Sequence, residues 1–415
     1  MAPQGEERSS LGLEQAVSTE MKNSLGTILF ISHDGSRTGA PIFLLRFLRW
    51  FRENCACSFR ILVGTYGELV PEFRELGEVD CFEPEPRLTY KVLRRLGLNH
   101  SYRLDHQRSL RARLSHCDVR LIYCNTIANG GILDFLSFLR CPVICHVHEL
   151  EGSIRHFGPE NMDLVKKYAS QYIAVSRAVK RNLSTRHDIP DEQIRMINGF
   201  IPAEQLDPSK VIDSRQAVRR ELGIPLQSKL VCASGSIDQR KGTDLFLRVA
   251  EKVRSVDRDG TVHFVWVGGR SDLLKRTRSE IDPSLRAFVH FIGPRPVLTP
   301  YYDASDIFLL TSREDPFPLV MLEAASRERP ILCFANSGGA AEFVENGAGL
   351  MVPDFDAEKM ADEVMRLLSA PELSQQIGTA ARRKVMNRHL LHLAAPEIAQ
   401  VIQERLRCSE QPVDF

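Results

Sequence analysis

The sequence predicts an α/β protein built from two doubly wound, Rossmann-like domains that face each other across a ligand cleft. Strand-like apolar runs alternate with helical patterns, as in parallel βαβ units, and the series stops at a proline-bearing segment and then restarts. A length of 415 residues gives each half enough chain for its own core.

Taken in order, residues 1–24 are polar and mixed in charge without the apolar centre of a signal peptide, and read as a disordered leader. The first domain, 25–201, carries strand-like runs at 27–32, 59–64, 119–124, 142–147 and 172–175. Residues 202–227 hold Pro202, Pro208 and Pro225 around a short helical pattern at 214–222, which is the interdomain connection. The second domain, 228–390, offers strands at 230–234, 262–268, 289–292, 307–310, 330–334 and 349–352. Residues 391–415 end in a helical pattern at 395–406, expected to cross back onto the first domain.

Composition narrows the function. A net charge of +1 argues against a nucleic-acid binder. No run reaches the roughly 18 apolar residues of a membrane span. Ten cysteines, several inside apolar runs such as those of Cys124 and Cys333, read as small buried hydrophobes in a reducing, cytoplasmic compartment, without metal-ligand spacing. Between Arg87 and His116 the bases are Arg87, Lys91, Arg94, Arg95, Arg103, Arg108, Arg111 and Arg113 against the single acid Asp105. That segment reads either as a solvated basic helix pair or as a face for peripheral contact with the inner side of an anionic membrane.

Two loops carry the chemistry. The strand ending at Ser234 runs into Gly235, Ser236, Ile237, Asp238, Gln239, Arg240, Lys241 and Gly242 before a helix, with Thr243 as its expected N-cap. Glycines admit close backbone approach, a helix N-terminus offers oriented N–H groups, and Arg240 and Lys241 add charge where an anion would sit. The alternative is a solvated basic turn. Neither a Walker A nor a G-x-G-x-x-G pattern is present. After the strand 307–310, Asp315, Pro316, Phe317, Pro318 and Leu319 lead into a helix that places Glu323 about a turn and a half in. Asp315 then lies outside a strand's carboxyl end, where open α/β sheets bind ligands, although an N-cap at Asp315 and a solvated Glu323 fit the same residues.

In the first half His148 follows the strand 142–147, and alternation puts it on one face with a more buried His146. Glu149 reads as an orienting carboxylate for that imidazole or as a surface residue. Asn125, Thr126 and Ser176 sit at carboxyl ends, lining the cleft or capping helices. The D-x-D look-alike Asp354-Phe355-Asp356 is assigned to a turn.

Together these segments, with Thr38-Gly39-Ala40-Pro41, Ile197-Asn198-Gly199, Asp303-Ala304-Ser305-Asp306 and Gly338-Gly339 before Glu342, resemble glycosyltransferase family 4, retaining enzymes of the GT-B fold. The family's E-x7-E element matches Asp315 through Glu323, with Phe317-Pro318 where Phe-Gly is usual, and its G-R-x4-K-G loop matches Gly235-Ser236 through Lys241-Gly242. The resemblance implies a nucleotide-sugar donor, no metal or other cofactor, and a saccharide or lipid-linked acceptor. It implies donor-binding roles for Gly39, Gly235, Ser236, Arg240, Lys241, Phe317, Pro318, Leu319 and Glu323, and catalytic roles for His148, Asp315, Arg240 and Lys241. Glu323 would take the ribose hydroxyls, Arg240 and Lys241 the leaving diphosphate, and Asp315 with backbone N–H groups the sugar. Two departures stand out: Asp315 is one methylene shorter than the usual Glu, and Ser236 replaces the loop arginine. A GT-B nucleotide-sugar epimerase and a non-catalytic nucleotide-sugar binder share these features.

Overall fold

The computed structural model describes residues 26–86, 95, 99–203 and 211–410. The described chain forms two compact units, one comprising the residues up to Asn198 together with those from Leu391 onward, the other Gly199–Leu390. The expected leader at 1–24 lies outside the described residues, as do Arg87, Lys91, Arg94 and Pro208.

The first unit is built on seven parallel strands, β1 (Thr27–Asp34), β2 (Ser58–Thr65), β3 (Glu78–Cys81), β4 (Val119–Asn125), β5 (Val143–Val147), β6 (Gln171–Ala174) and β7 (Ile194–Met196). They lie in the order β3-β2-β1-β4-β5-β6-β7, so the winding direction reverses between β1 and β4. Phe30 of β1 packs against Phe47 and Phe51 of the helix Gly39–Asn54 and against Tyr123 of β4, at ring separations of 5.2 to 6.1 Å. Fully buried side chains of this size each contribute about 1.5–3 kcal/mol. The helix Leu391–Glu410 packs on the helix Gly39–Asn54 and on β4, and its Ile398, Ile402 and Leu406 are buried. Its Arg405 Nε donates to Gln171 Oε1 at 3.1 Å. The helix begins four residues before the periodic pattern and keeps Pro396 inside it.

The second unit holds six parallel strands, β8 (Lys229–Ser234), β9 (Val262–Val267), β10 (Val289–Gly293), β11 (Ile307–Leu310), β12 (Ile331–Phe334) and β13 (Gly349–Val352). Their order is β10-β9-β8-β11-β12-β13, with the reversal between β8 and β11. Phe246 of the helix Thr243–Val256 meets Phe264, Trp266 and Phe291 across one face of the sheet. Asp306 pins the central pair: its Oδ2 accepts the Leu230 N–H at 2.8 Å, and its own N–H bonds Leu230 O at 2.8 Å.

The boundary between units falls after Asn198, three residues before the point read from the sequence. Gly199 and Ile201 bond His389, through Gly199 O at 3.2 Å and His389 O at 2.9 Å, and so belong with the second unit. The helix of the proline-bearing connection, Val211–Leu222, also joins the second unit, where buried Arg219 donates to Ala304 O at 2.8 Å and Ser228 O at 3.0 Å.

Candidate functional site

The chain order of the second sheet decides which loops meet. Because β8 and β11 are neighbours and their following connections leave in opposite directions, a crevice opens at their carboxyl ends. The basic loop 235–242 follows β8 and the segment 311–318 follows β11, so the two sequence motifs converge there. Lys241 Nζ lies 2.5 Å from Asp315 Oδ2, with the lysine side chain 14 % and the aspartate 8 % exposed. Arg240 spans the same gap, its Nη1 donating to Glu314 O at 3.0 Å and its carbonyl accepting the Arg313 N–H at 2.8 Å.

Within the loop, Asp238 takes the Ser236 hydroxyl at 2.5 Å and the Lys241 N–H at 2.7 Å. Ser236, though exposed, is thus tied back to its own turn. Thr243 is not the N-cap. That position is Gly242, in the left-handed region at φ 69°, where a Cβ would collide with Thr311 O; Thr243 is the first helical residue. Gly235 packs under the aliphatic stem of Lys241, and its carbonyl accepts Trp266 Nε1 at 3.1 Å.

Asp315 is not an N-cap either. The helix Leu319–Ser326 is entered through Pro318, extended at φ −69° and ψ 115°, with no side chain capping it. The backbone of Asp315 is instead bonded to Ser337 O at 2.7 Å and to the Gly339 N–H at 3.0 Å. Phe317 is buried and its ring lies 5.4 Å from that of His389. Its side chain is thus structural, while its neighbours Pro318 and Leu319 lead the chain into the first helical turn. Glu323, half-buried, accepts from Tyr302 Oη at 3.3 Å. Burial, and next the charge of Glu323, hold the Tyr302 phenol well above its usual pKa.

Two residues of this crevice escaped the sequence reading. Tyr302 sits in an inconspicuous helix, Thr299–Ala304, and only folding brings it to Glu323. Arg313 clamps the basic loop, with Nη1 on Gln239 O at 2.8 Å and both terminal nitrogens on Asp244 at 2.6 and 2.7 Å. Its position two residues before Asp315 was the available signal.

In the first unit the corresponding reversal lies between β1 and β4. Gly39 opens the helix Gly39–Asn54, and a Cβ there would meet nothing within 4 Å. At the end of β4, buried Asn125 donates through Nδ2 to Ala40 O at 2.8 Å and meets His148 Nε2 through Oδ1 at 2.9 Å. His146 and His148 stack with ring centroids 4.4 Å apart, and Phe43 stands edge-on to both. Burial, then the neighbouring His33, pushes His148 down to about 3, so its imidazole is neutral near pH 7. His146, bonded through Nδ1 to Tyr123 Oη at 2.5 Å, is likewise held well below its usual value by burial.

Glu149 matches neither sequence expectation. It is buried rather than on the surface, and it binds the backbone N–H of His148 at 2.9 Å rather than the imidazole. Ser176 is an N-cap, its Oγ accepting the Val179 N–H at 3.1 Å. Asp354 and Phe355 form a left-handed turn and Asp356 caps the helix Ala357–Ser369. In the basic segment, Arg103, Arg108 and Arg113 pair with Glu83, Asp105 and Asp80 at 2.5, 3.0 and 2.9 Å. Among the described residues no helix is long and apolar enough to cross a membrane, and no group of three or more His, Cys, Asp or Glu is arranged to hold a metal ion. The cysteines are free thiols, with Cys124, Cys145, Cys232 and Cys333 among the buried ones.

Fold and crevice together define a two-unit α/β protein of the GT-B class, with an anion-suited loop beside a carboxylate at a strand-order reversal. Residues 228–370 match the family described as glycosyl transferases group 1, and residues 39–205 match glycosyltransferase family 4. The chain belongs to the group 1, family 4 glycosyltransferases. It is 27% identical over 222 residues to the D-inositol 3-phosphate glycosyltransferase of Corynebacterium diphtheriae, covering 52% of this chain and 52% of that relative. It is 31% identical over 153 residues to the alpha-galactosylglucosyldiacylglycerol synthase of Streptococcus pneumoniae, covering 35% and 38%. The chain thus spans about half the length, or less, of the curated relatives it matches. Among solved structures, Anabaena Alr3699/HepE in complex with UDP and glucose has a TM-score of 0.74 at 20% identity, covering 91% of this chain and 99% of that one. WaaG, a glycosyltransferase involved in lipopolysaccharide biosynthesis, has a TM-score of 0.67 at 14% identity, covering 90% and 99%.

Proposed function

We propose that this chain is a retaining glycosyltransferase that moves a sugar from a nucleoside-diphosphate sugar to an acceptor hydroxyl. The observation that carries the reading is the Lys241–Asp315 pair at the β8/β11 reversal, with Arg240 next to it in the loop. Lys241 and Arg240 neutralise the diphosphate as the glycosidic C–O bond breaks, which is leaving-group stabilisation by fixed charge, without a metal in this reading. Glu323 accepts the ribose hydroxyls, with Tyr302 beside it. Asp315 and the uncapped N–H groups at Leu319 and Val320 hold sugar hydroxyls and add the favourable field of a helix start. In the first unit, His148 offers substrate a neutral imidazole at the carboxyl end of β5.

The printed names of the relatives support donor and acceptor classes. A neighbour of the same fold holds UDP and glucose, which makes a UDP-sugar the first donor to try. One curated relative is named for inositol phosphate and another for a glycolipid, which supports a polar-headgroup or lipid-linked saccharide acceptor and a place in glycoconjugate synthesis. Peripheral membrane contact through 87–116 draws less support, because three of its arginines already have acidic partners.

The test is thermal stabilisation of the purified chain by UDP-, GDP-, ADP- and dTDP-sugars, repeated with Glu323→Ala and Lys241→Ala. A ligand at 100 times its Kd stabilises by about 2.7 kcal/mol, a shift that is easily read. One nucleotide sugar should raise the Tm of the wild type, and both variants should lose that rise. No shift at millimolar concentration rejects the donor-site reading.

A further inference from the structure

We propose that Glu149 is a positioning residue for His148, acting as a buried clamp between the turn after β4 and the loop after β5. Any consequence for sugar transfer rests on the function proposed above; the clamp itself rests on its contacts.

Asn125 comes first. Its Nδ2 is committed to Ala40 O, so the amide is oriented with Oδ1 toward His148 Nε2. An amide oxygen only accepts, so Nε2 carries the imidazole proton and Nδ1 is left as an acceptor. The stacked ring of His146 and the edge of Phe43 limit how far the imidazole can turn. The chemistry that His148 can offer a substrate is therefore set by where Asn125 stands.

The residue after Asn125 is Thr126, buried, at φ 129° and ψ 148°. A β-branched side chain rarely adopts positive φ, and such a conformation persists only where its surroundings enforce it. Glu149 supplies the enforcement. Its Oε1 takes the Thr126 hydroxyl, and its Oε2 takes the N–H of Ile127 at 3.4 Å and of His148 at 2.9 Å. One carboxyl group thus joins the two segments that carry the two halves of the Asn125–His148 bond. Among the described residues no cation pairs with Glu149, although it is buried. Burial raises its pKa to about 7 in spite of the three donors, so the group sits there against an opposing desolvation cost. A carboxyl kept under those terms, and spent on one strained turn, is placed for geometry.

The experiment uses the full chain labelled with 15N-histidine, as wild type, Glu149→Gln, Glu149→Ala and Thr126→Val. The valine variant removes one clamp contact without touching the carboxyl group, so the proposal stays testable if the glutamate variants fold poorly. The wild type should show His148 as a single tautomer protonated on Nε2, and the folded variants a mixture with the Nδ1–H form. With UDP-glucose as probe, kcat for UDP release should fall about ten- to a hundred-fold in Glu149→Ala, while the Kd of UDP alone changes less than about twofold. Folded variants that keep the wild-type tautomer overturn the proposal, whether or not turnover falls. A tautomer change in a chain whose wild type releases no UDP from any sugar donor supports the clamp and sinks the transferase reading instead.

Discussion

Lys241 and Asp315 stand 74 residues apart in sequence and 2.5 Å apart in space, and without donor each is the other's counter-charge. Asp238 in the same loop accepts the Lys241 backbone N–H, and a bound diphosphate would compete with Asp315 for the Lys241 ammonium. Removing one partner of a buried pair leaves an uncompensated charge, so Lys241→Ala should lower unfolding stability in urea by about 2–4 kcal/mol, besides abolishing the nucleotide-sugar shift. Glu149 gives a pH signature of definite sign. Its folded pKa, about 7, lies above the 4.5 of a free glutamate, so its stabilising contribution is full below about 4.5 and is lost as pH rises to about 7. His148, depressed to about 3, has the opposite sign: its contribution is present above 6.5 and lost as pH falls from there toward 3. Urea titrations of wild type and Glu149→Gln at pH 5.0 and 7.5 should separate the two. Relative to wild type the variant should gain stability with rising pH, by up to about 3 kcal/mol from a shift of this size.

At the scale of elements, the strand-to-helix connections carry the working residues, and their glycines are not interchangeable. Gly242 combines φ 69° with a closely approaching Thr311 carbonyl, so Gly242→Ala must distort the basic loop. A loss of about 2 kcal/mol or more in stability, with loss of UDP affinity, is expected from denaturation and titration calorimetry. Gly39 is the contrast. It begins a helix and has no neighbour within 4 Å of its missing Cβ, so Gly39→Ala should leave stability unchanged or raise it by about 0.5 kcal/mol. If the space above Gly39 is kept for substrate, turnover falls in this variant although the fold does not. Intact turnover in Gly39→Ala would remove that residue from the site.

Over the whole molecule, the same strand-order reversal occurs once in each unit, and the motifs follow it. The last helix matters to this plan because Leu391–Glu410 completes the first unit, not the second. Deleting residues 391–415 uncovers the helix Gly39–Asn54 and β4 and removes the buried side chains of Ile398, Ile402 and Leu406. At about 1.5–3 kcal/mol for each, the first unit should lose on the order of 5 kcal/mol. Hydrogen exchange read by mass spectrometry should show β1, β4 and β5 losing protection while β8 to β12 keep theirs. Uniform loss across both units would show that they do not fold independently.

Much of this was legible in the residue order. All six strands of the second unit and five of the seven in the first announced themselves as apolar runs, because burial on both faces of a parallel strand leaves a continuous local signal. The two that did not, Glu78–Cys81 and Ile194–Met196, are short sheet edges with exposed positions, where that signal fades. The two loops that meet at the β8/β11 reversal were legible too, since glycine, proline and charge at a strand end are local features. The partners were not. That Asp315 answers Lys241 and does not cap a helix, that Tyr302 meets Glu323, and that Glu149 binds the Thr126 hydroxyl and not an imidazole nitrogen all depend on contacts between distant segments. Local propensity sets which stretches become strands, helices and turns, whereas the sheet order, with β8 against β11 and β1 against β4, sets which turns are neighbours and so which polar groups lose water together and must satisfy one another.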